Sequence, residues 1–543
     1  MAYLRVSWGA PLTEVTLGDL LTPSDPLGPA RHERILRRVD NQASNLLLYK
    51  TNLFDEITSR PRPLIIGRRG SGKTAVVNAL LAQSAGKNYS YAENPGYIQN
   101  NNNIIVFINS WSYFDSLVEQ VGHDIALTHG PAVDWTGVLP ETSARVWSRH
   151  IWRAIFQRIY DDSLKVGQSK KQEYITAVKN YISGRDFVVN GTDITNGGLD
   201  SASGKVRQKI IEHLVATKSK CILIIDSLEG YPVHSPRFSK VISGFLRFIS
   251  DFQDSHPNCR VYCCMPEEIE PFVAQHYPNT HKDGSKATSI SRLQWRTMDL
   301  LKIVAKRYRE FLKLHLSRED SDFIDSIQGL NLDRKDDLKY FFSQVIPETV
   351  RNKYGQEENT IAYIIRHTQL LPREFLLIFS TAILMSHRDI GSWRYIDEKA
   401  IVGAIDFVEE DLCNQILTPF RPLYPVLCEN VKSVVAHLPP IFRGRDLQSC
   451  KKLDNITKSE TVDCWSTLFS MGIIGYLEDE SGPKPGSIYE PARFYYNSVK
   501  SITFAPDRLY CFHPIFSGTW NLRNHPEATG MKFVYPAQIS SEL

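Results

Sequence analysis

Zinc-type cysteine spacing is missing from this chain. It has nine cysteines, none forms a C-x-x-C pair, and the cluster Cys259, Cys263 and Cys264 has no His or Cys set nearby at metal-ligand spacing. That argues against a zinc module and predicts reduced, partly buried thiols in a cytoplasmic protein. No charge of one sign dominates, with 63 Lys+Arg against 60 Asp+Glu and a net charge of +3. Nothing global asks for nucleic acid to be wrapped or a membrane coated. Long apolar runs are absent too. The longest, Phe375 to Met385, is interrupted by Ser380 and Thr381 and predicts a buried helix rather than a membrane span. No basic segment followed by an apolar one opens the sequence, so no secretory signal is expected. What remains is 42% hydrophobic and 23% charged over 543 residues, an ordinary globular composition with room for about two to four domains.

Against that plain background one stretch stands out. Leu64-Ile-Ile-Gly67-Arg-Arg-Gly70-Ser-Gly72-Lys73-Thr74 fits G-x-x-x-x-G-K-[ST], the phosphate-binding loop. An apolar run, Pro63 to Ile66, predicts a buried strand before it, and Thr74-Ala-Val-Val-Asn-Ala-Leu-Leu predicts a helix after it. Glycines let backbone N–H groups turn inward around phosphate oxygens, and the helix N-terminus adds partial positive charge. The predicted nucleotide-contacting residues are Gly67, Arg68, Arg69, Gly70, Ser71, Gly72, Lys73, Thr74 and Ala75. Lys73 is placed on the β- and γ-phosphates and the Thr74 hydroxyl on Mg²⁺. The alternative is a glycine-rich turn.

Further strands are predicted at Ile104–Asn109, Cys221–Asp226, Arg260–Met265 and near Ser289–Trp295, separated by helical patterns that include Phe238–Phe252. This alternation predicts a parallel sheet covered on both faces, with the ligand beyond the carboxyl ends of its strands. Cys221-Ile-Leu-Ile-Ile-Asp226 ends in an acid that can hold Mg²⁺ beside the loop. Glu229, three residues on, is the candidate to orient or deprotonate the attacking water, with an exposed loop carboxylate as the alternative. The strand ending at Met265 is placed between the first and third and offers no clear polar sensor. Ser183 to Lys205, rich in Gly, Asn, Asp, Ser and Thr, predicts an exposed, mobile loop.

From Thr297 to Ile390 the pattern is helical. Pro372 fits a first helical turn. Arg373 then sits where the helix dipole disfavours a cation, which points to an external anion such as a γ-phosphate, or else to a surface ion pair. His367 reads as a structural histidine. Helices are predicted at Leu423–Leu438, Arg445–Leu453 and Ser459–Met471, the last capped by Ser459 and stopped by Gly472. Strand-like sequence follows at Ile473–Leu477, Ser501–Phe504 and Leu509–Phe512. Three helices and a hairpin predict a winged helix. Glu460 and Asp463 on its third helix would repel phosphates, which favours a structural or protein-binding role over DNA reading.

Gly67 to Thr74, Ile222 to Glu229, Leu293-Gln-Trp295 to Arg307, His367-Thr-Gln-Leu-Leu-Pro-Arg373, Leu468-Phe-Ser-Met-Gly-Ile-Ile-Gly-Tyr and Phe512-His-Pro-Ile-Phe together resemble bacterial P-loop ATPases of the origin-recognition and STAND branches of the AAA+ class. The likeness is strongest to conflict-system ATPases with a G-R-[RK]-G-S-G-K-[ST] loop. The resemblance implies an N-terminal helical lead-in over 1–60, a P-loop ATPase core over 61–296, a helical lid over 297–415 and a winged-helix domain over 416–543. It implies ATP and Mg²⁺ as cofactors, Lys73, Asp226, Glu229 and Arg373 as catalytic residues, Arg373 being the lid's sensor arginine, and Thr74 and Asp226 at the metal. Arg307 and Arg309 are finger candidates if protomers stack. Ser227 replaces an acid found in many ring-forming ATPases, which implies slow hydrolysis. The function implied is an ATP-driven switch acting on a separate effector protein or a homo-oligomer, with antiviral defence as its setting. A DNA-sensing or DNA-loading initiator and an ATP-dependent scaffold with little turnover are the alternatives. No membrane partner is expected.

Overall fold

The computed structural model describes residues 16–30, 46, 54, 57, 64–84, 103–108, 114–130, 133–165, 173–183, 198–226, 231–277, 290–352, 355–435, 438–448, 463–478, 489–497, 503–516, 519–520 and 533–536. By contacts the chain forms two compact units. One comprises 50–68 and 73–293, the other 1–49, 69–72 and 294–543.

The 50–293 unit is built on five short strands: β1 (Leu64–Gly67), β2 (Ile104–Ile108), β3 (Cys221–Ile225), β4 (Cys259–Pro266) and β5 (Ile290–Arg292). They pair in the order β2-β3-β4-β1-β5, and every pairing is parallel. All four residues of β1 and all five of β3 are buried, the near-continuous apolar burial that a sheet covered on both faces requires. The chain is therefore α/β, with β4 between β1 and β3. Helix Pro236–Ser255 presents Val241, Phe245, Phe248, Ile249 and Phe252 to the core. It lies close against Pro140–Lys165, because Gly244 faces Ser143 so tightly that a Cβ there would come within 2.1 Å of the serine Cβ.

One expectation changes in this unit. Gly198–Ala216 is a helix, so the predicted loop does not extend to Lys205. Val206, Ile210 and Leu214, spaced four apart and buried, fix the helical face, and the Ser/Gly-rich turns before them continue it. Residues 184–197 lie outside the described set, as do 88–102 and most of 31–63 within the expected N-terminal helical lead-in and its junction with β1.

The other unit has one large apolar core running from Leu300 to Trp520, joined by Leu21 and Leu27. Its helices include Thr297–His315, Lys335–Val345, Thr360–Arg366, Pro372–Ile390 and Glu398–Leu417. Pro372 occupies the first turn of its helix and Gly391 ends it in the left-handed conformation, as N-terminal Pro and C-terminal Gly preferences require. The expected boundary at 415/416 falls inside Glu398–Leu417. A two-stranded antiparallel ribbon, β6 (Thr349–Arg351) with β7 (Glu357–Asn359), interrupts what the sequence presents as continuous helix.

At the C-terminal end, helices Pro425–Val435, Gly444–Gln448 and Cys464–Ser470 accompany a five-stranded sheet. Its strands are β8 (Ile441–Arg443), β9 (Ile474–Leu477), β10 (Tyr489–Arg493), β11 (Leu509–Phe512) and β12 (Phe533–Pro536), ordered β12-β10-β9-β11-β8. The helix and hairpin order follows the winged-helix pattern with added strands. Three details differ from expectation. Residues 503–504 are not strand. The third helix runs Cys464–Ser470 and its cap is Asp463, which accepts from Trp465 N at 3.1 Å and from Ser466 Oγ. Ser459 and Glu460 lie outside the described residues. Asp463 is thus a cap, not a carboxylate carried on the helix face. Among the described residues no helix is long and apolar enough to cross a membrane.

Candidate functional site

Strand β1 delivers Gly67 to the carboxyl edge of the parallel sheet, and helix Lys73–Ser84 starts six residues later. Gly70 at φ +89° and Gly72 at φ +93° take backbone conformations that a side chain would strain, so the glycines of the loop are required by its shape. Lys73 is 5% exposed. Its Nζ folds back over the loop and donates to the carbonyl oxygens of Gly67 at 2.8 Å and Arg68 at 3.0 Å. The Ser71 hydroxyl is fully buried and has no hydrogen-bond partner among the described residues.

Asp226 follows β3 directly, its N–H bonded to Ile108 O of β2 at 3.0 Å, and is 8% exposed. Thr74 Oγ1 donates to Asp226 Oδ2 at 3.2 Å. Two residues 152 positions apart in sequence, one from each half of the predicted motif pair, meet at the sheet edge. Below them Cys264 Sγ lies 3.9 Å from Lys73 O. Burial pushes the thiols of Cys263 and Cys264 well up, and the Asp226 carboxylate adds to it.

Strand β4 places Pro266 in register with Gly67, so the next residue, Glu267, emerges beside the loop. Glu267 Oε2 accepts from Arg68 Nε at 3.0 Å, and both side chains are largely buried. The strand end Cys264-Met265-Pro266-Glu267 carries no Asn or Thr, so its polar group at the loop is Glu267. Its position, one residue past a strand flanked by both motif strands, was the available signal.

Within the larger unit, the loop's central residues 69–72 meet two side chains from later in the chain. Trp295 Nε1 donates to Ser71 O at 2.7 Å. Arg373 packs on Gly70, where a Cβ would come within 3.2 Å of the arginine Cβ. Glu229 falls outside the described residues, with Ser227, Leu228 and Gly230. The two finger candidates are both engaged. Arg307 is 2% exposed and donates to Leu27 O at 3.0 Å, and burial lowers its pKa to about 10. Arg309 donates to Leu330 O at 2.9 Å. Arg307 is therefore a core residue and not a surface finger. His367, buried, donates from Nδ1 to Tyr363 O at 2.7 Å, the structural role expected for it.

The residues fit a nucleoside triphosphate with a divalent cation. Gly70 and Gly72 take backbone conformations only glycine holds without strain, the Ser71 hydroxyl is unsatisfied among the described residues, a lysine crosses the loop, and a hydroxyl and a carboxylate converge where Mg²⁺ ligands are needed. Among the described residues no group of three or more His, Cys, Asp and Glu side chains is placed to hold a metal ion.

No protein-family model matches the chain, and no curated protein matches it significantly. Among solved structures it is similar to the ORC2 protein of Aeropyrum pernix, determined as ADPNP–ADP complexes. The alignment covers 90% of this chain and 94% of that one, at 11% sequence identity and a TM-score of 0.31. A likeness that slight carries no weight for activity. The α/β assignment rests on the parallel sheet itself.

Proposed function

We propose that this chain is an ATP-dependent molecular switch that hydrolyses its nucleotide slowly and acts through a separate effector protein. The observation that carries the nucleotide reading is the 3.2 Å contact between Thr74 Oγ1 and Asp226 Oδ2 at the carboxyl edge of the sheet, beside a loop whose lysine is already turned over its own carbonyls. In this reading the N–H groups of Gly70, Ser71, Gly72, Lys73, Thr74 and Ala75 bind the phosphates, with Gly67, Arg68 and Arg69 shaping the approach. Lys73 exchanges its carbonyl partners for β- and γ-phosphate oxygens. Thr74 and Asp226 hold Mg²⁺, which supplies neutralisation of phosphate charge. Arg373, packed on Gly70, contributes a cation at the γ-phosphate end, and Glu229 orients the attacking water.

A switch needs a contact made in one state and lost in the other. The γ-phosphate offers one, since its removal leaves Lys73 and Arg373 without the anion. Residues 297–415 and 416–543 are the proposed lid and winged-helix parts that respond, sharing one core. The resemblance to conflict-system ATPases makes antiviral defence the proposed setting, and an effector on another chain the proposed partner.

The test is Lys73→Ala. ATP binding measured by equilibrium titration is expected to be lost, while the thermal unfolding midpoint without nucleotide stays near that of the wild type. Wild-type ATP affinity in a folded Lys73→Ala variant would defeat the assignment.

A further inference from the structure

Apart from Arg373, three stretches of the sequence, His367–Arg373, Leu468–Tyr476 and Phe512–Phe516, carry no role in phosphate binding as described so far. They meet in one buried polar junction. The turn between helices Thr360–Arg366 and Pro372–Ile390 contributes Thr368 and Gln369, which are 0% and 2% exposed. Gln369 Nε2 donates to Met471 O at 3.1 Å and to Gly472 O at 3.2 Å, two carbonyls just past the end of helix Cys464–Ser470. Thr368 O accepts from His513 Nε2 at 3.1 Å, the same nitrogen lies 2.9 Å from Tyr496 Oη, and His513 Nδ1 accepts from Ile515 N at 3.2 Å. With Nδ1 an acceptor, the ring is the neutral Nε2–H tautomer. His513 N also donates to Ile473 O.

The same turn is rigid on its other side. Gln369 N donates to Glu374 Oε2 at 2.5 Å. Leu370 sits at φ +56°, a left-handed conformation unfavourable for a leucine that persists only where the surroundings impose it. Arg373 lies one residue before Glu374 and packs on Gly70 of the loop. A displacement of Arg373 therefore moves a strained, fully bonded block whose far side is tied to two backbone carbonyls of the C-terminal helix and one histidine of β11's extension.

We propose that Gln369 is a positioning residue that couples Arg373 to the C-terminal module, so that the nucleotide state at the loop is read out at Met471, Gly472 and His513. The inference rests on the nucleotide reading above and adds the route by which it leaves the site. A glutamine serving only as packing would be replaced without loss by an apolar side chain of its size. One serving as a link would not.

Hydrogen exchange of the full chain, with and without Mg²⁺ and a non-hydrolysable ATP analogue, separates the two. In the wild type, amides of 464–477 and 509–516 are expected to change exchange rate by about threefold or more on analogue binding. In Gln369→Met, analogue affinity stays within about threefold of wild type and that change disappears. A folded Gln369→Met protein that keeps the wild-type nucleotide-dependent change, whatever its melting midpoint, overturns the proposal. So does a wild type that binds analogue with no change in these segments. A wild type that binds no analogue overturns the nucleotide reading, and this inference with it. Should Gln369→Met fail to fold, Tyr496→Phe, which removes one hydroxyl at the His513 end, is read by the same criterion.

Discussion

Replacing Thr74 by valine removes one hydroxyl and almost no volume. Its Oγ1 donates to Asp226 Oδ2 at 3.2 Å, and a hydrogen bond to a charged group contributes about 1.5–3 kcal/mol. At this length the lower end applies to the stability of the nucleotide-free protein, so a loss of about 1.5 kcal/mol is expected in urea unfolding. The larger effect is on metal-dependent binding. Thr74→Val deletes one of the two protein groups placed at Mg²⁺, and a charge-assisted ligand of the same worth corresponds to roughly a 10- to 150-fold change in affinity. The assay is titration with a fluorescent ATP analogue in Mg²⁺ and again in EDTA. The variant should lose roughly 10- to 150-fold in Mg²⁺ and less than about threefold in EDTA. In a cycle with Asp226→Asn the two losses should fall short of additive, because both residues serve one ion. Equal losses with and without Mg²⁺, or none with it, would refute the placement of the metal between Thr74 and Asp226.

Other perturbations follow from the same geometry. Glu229→Gln should slow phosphate release while leaving ATP affinity unchanged, and unaltered turnover would reduce Glu229 to a loop carboxylate. Glu358 has a fully buried side chain, takes two hydrogen bonds from Arg366 at 2.9 and 3.0 Å, and is bonded by Asn352 as well. Glu358→Gln leaves that arginine buried without its counter-charge and should cost about 3–5 kcal/mol, read by denaturant unfolding; a loss under about 1 kcal/mol would contradict it. Burial first, then the charge of Arg260, lowers the pKa of Lys220 from 10.5 to about 8. A folded pKa below the unfolded one means charging the lysine opposes folding. Stability should therefore rise as pH goes from about 8 toward 10.5, and Lys220→Gln should flatten that segment of a stability–pH curve.

The nucleotide side of the molecule was legible in the sequence because its chemistry is local. The short loop between Gly67 and Lys73 fixes its own backbone through Gly70 and Gly72, and four apolar residues ending in Asp226 mark a buried strand whichever sheet holds it. The position of β4 between β1 and β3 followed from the same architecture. What escaped was of two kinds. Very short strands leave no periodicity to read, so Thr349–Arg351, Glu357–Asn359 and Ile441–Arg443, three residues each, are invisible between helices. Tertiary partners also override local composition. The helix at Gly198–Ala216 forms despite Ser and Gly because Val206, Ile210 and Leu214 are buried. Arg307 is held in the core by Leu27 O, 280 residues away. Arg68–Glu267, 199 residues apart, needed the strand register before it could be seen. Gln369 reads in the sequence as one polar residue in a helical turn, and only its reach to Met471 and Gly472 sets it apart.

The most direct measurement is a structure of the chain with Mg²⁺ and a non-hydrolysable ATP analogue. The account predicts β- and γ-phosphate oxygens within hydrogen-bond reach of Lys73 Nζ and of the amides of Gly70–Gly72, with the cation between Thr74 and Asp226. Analogue bound elsewhere, or Lys73 still on the carbonyls of Gly67 and Arg68 at saturating nucleotide, would contradict it.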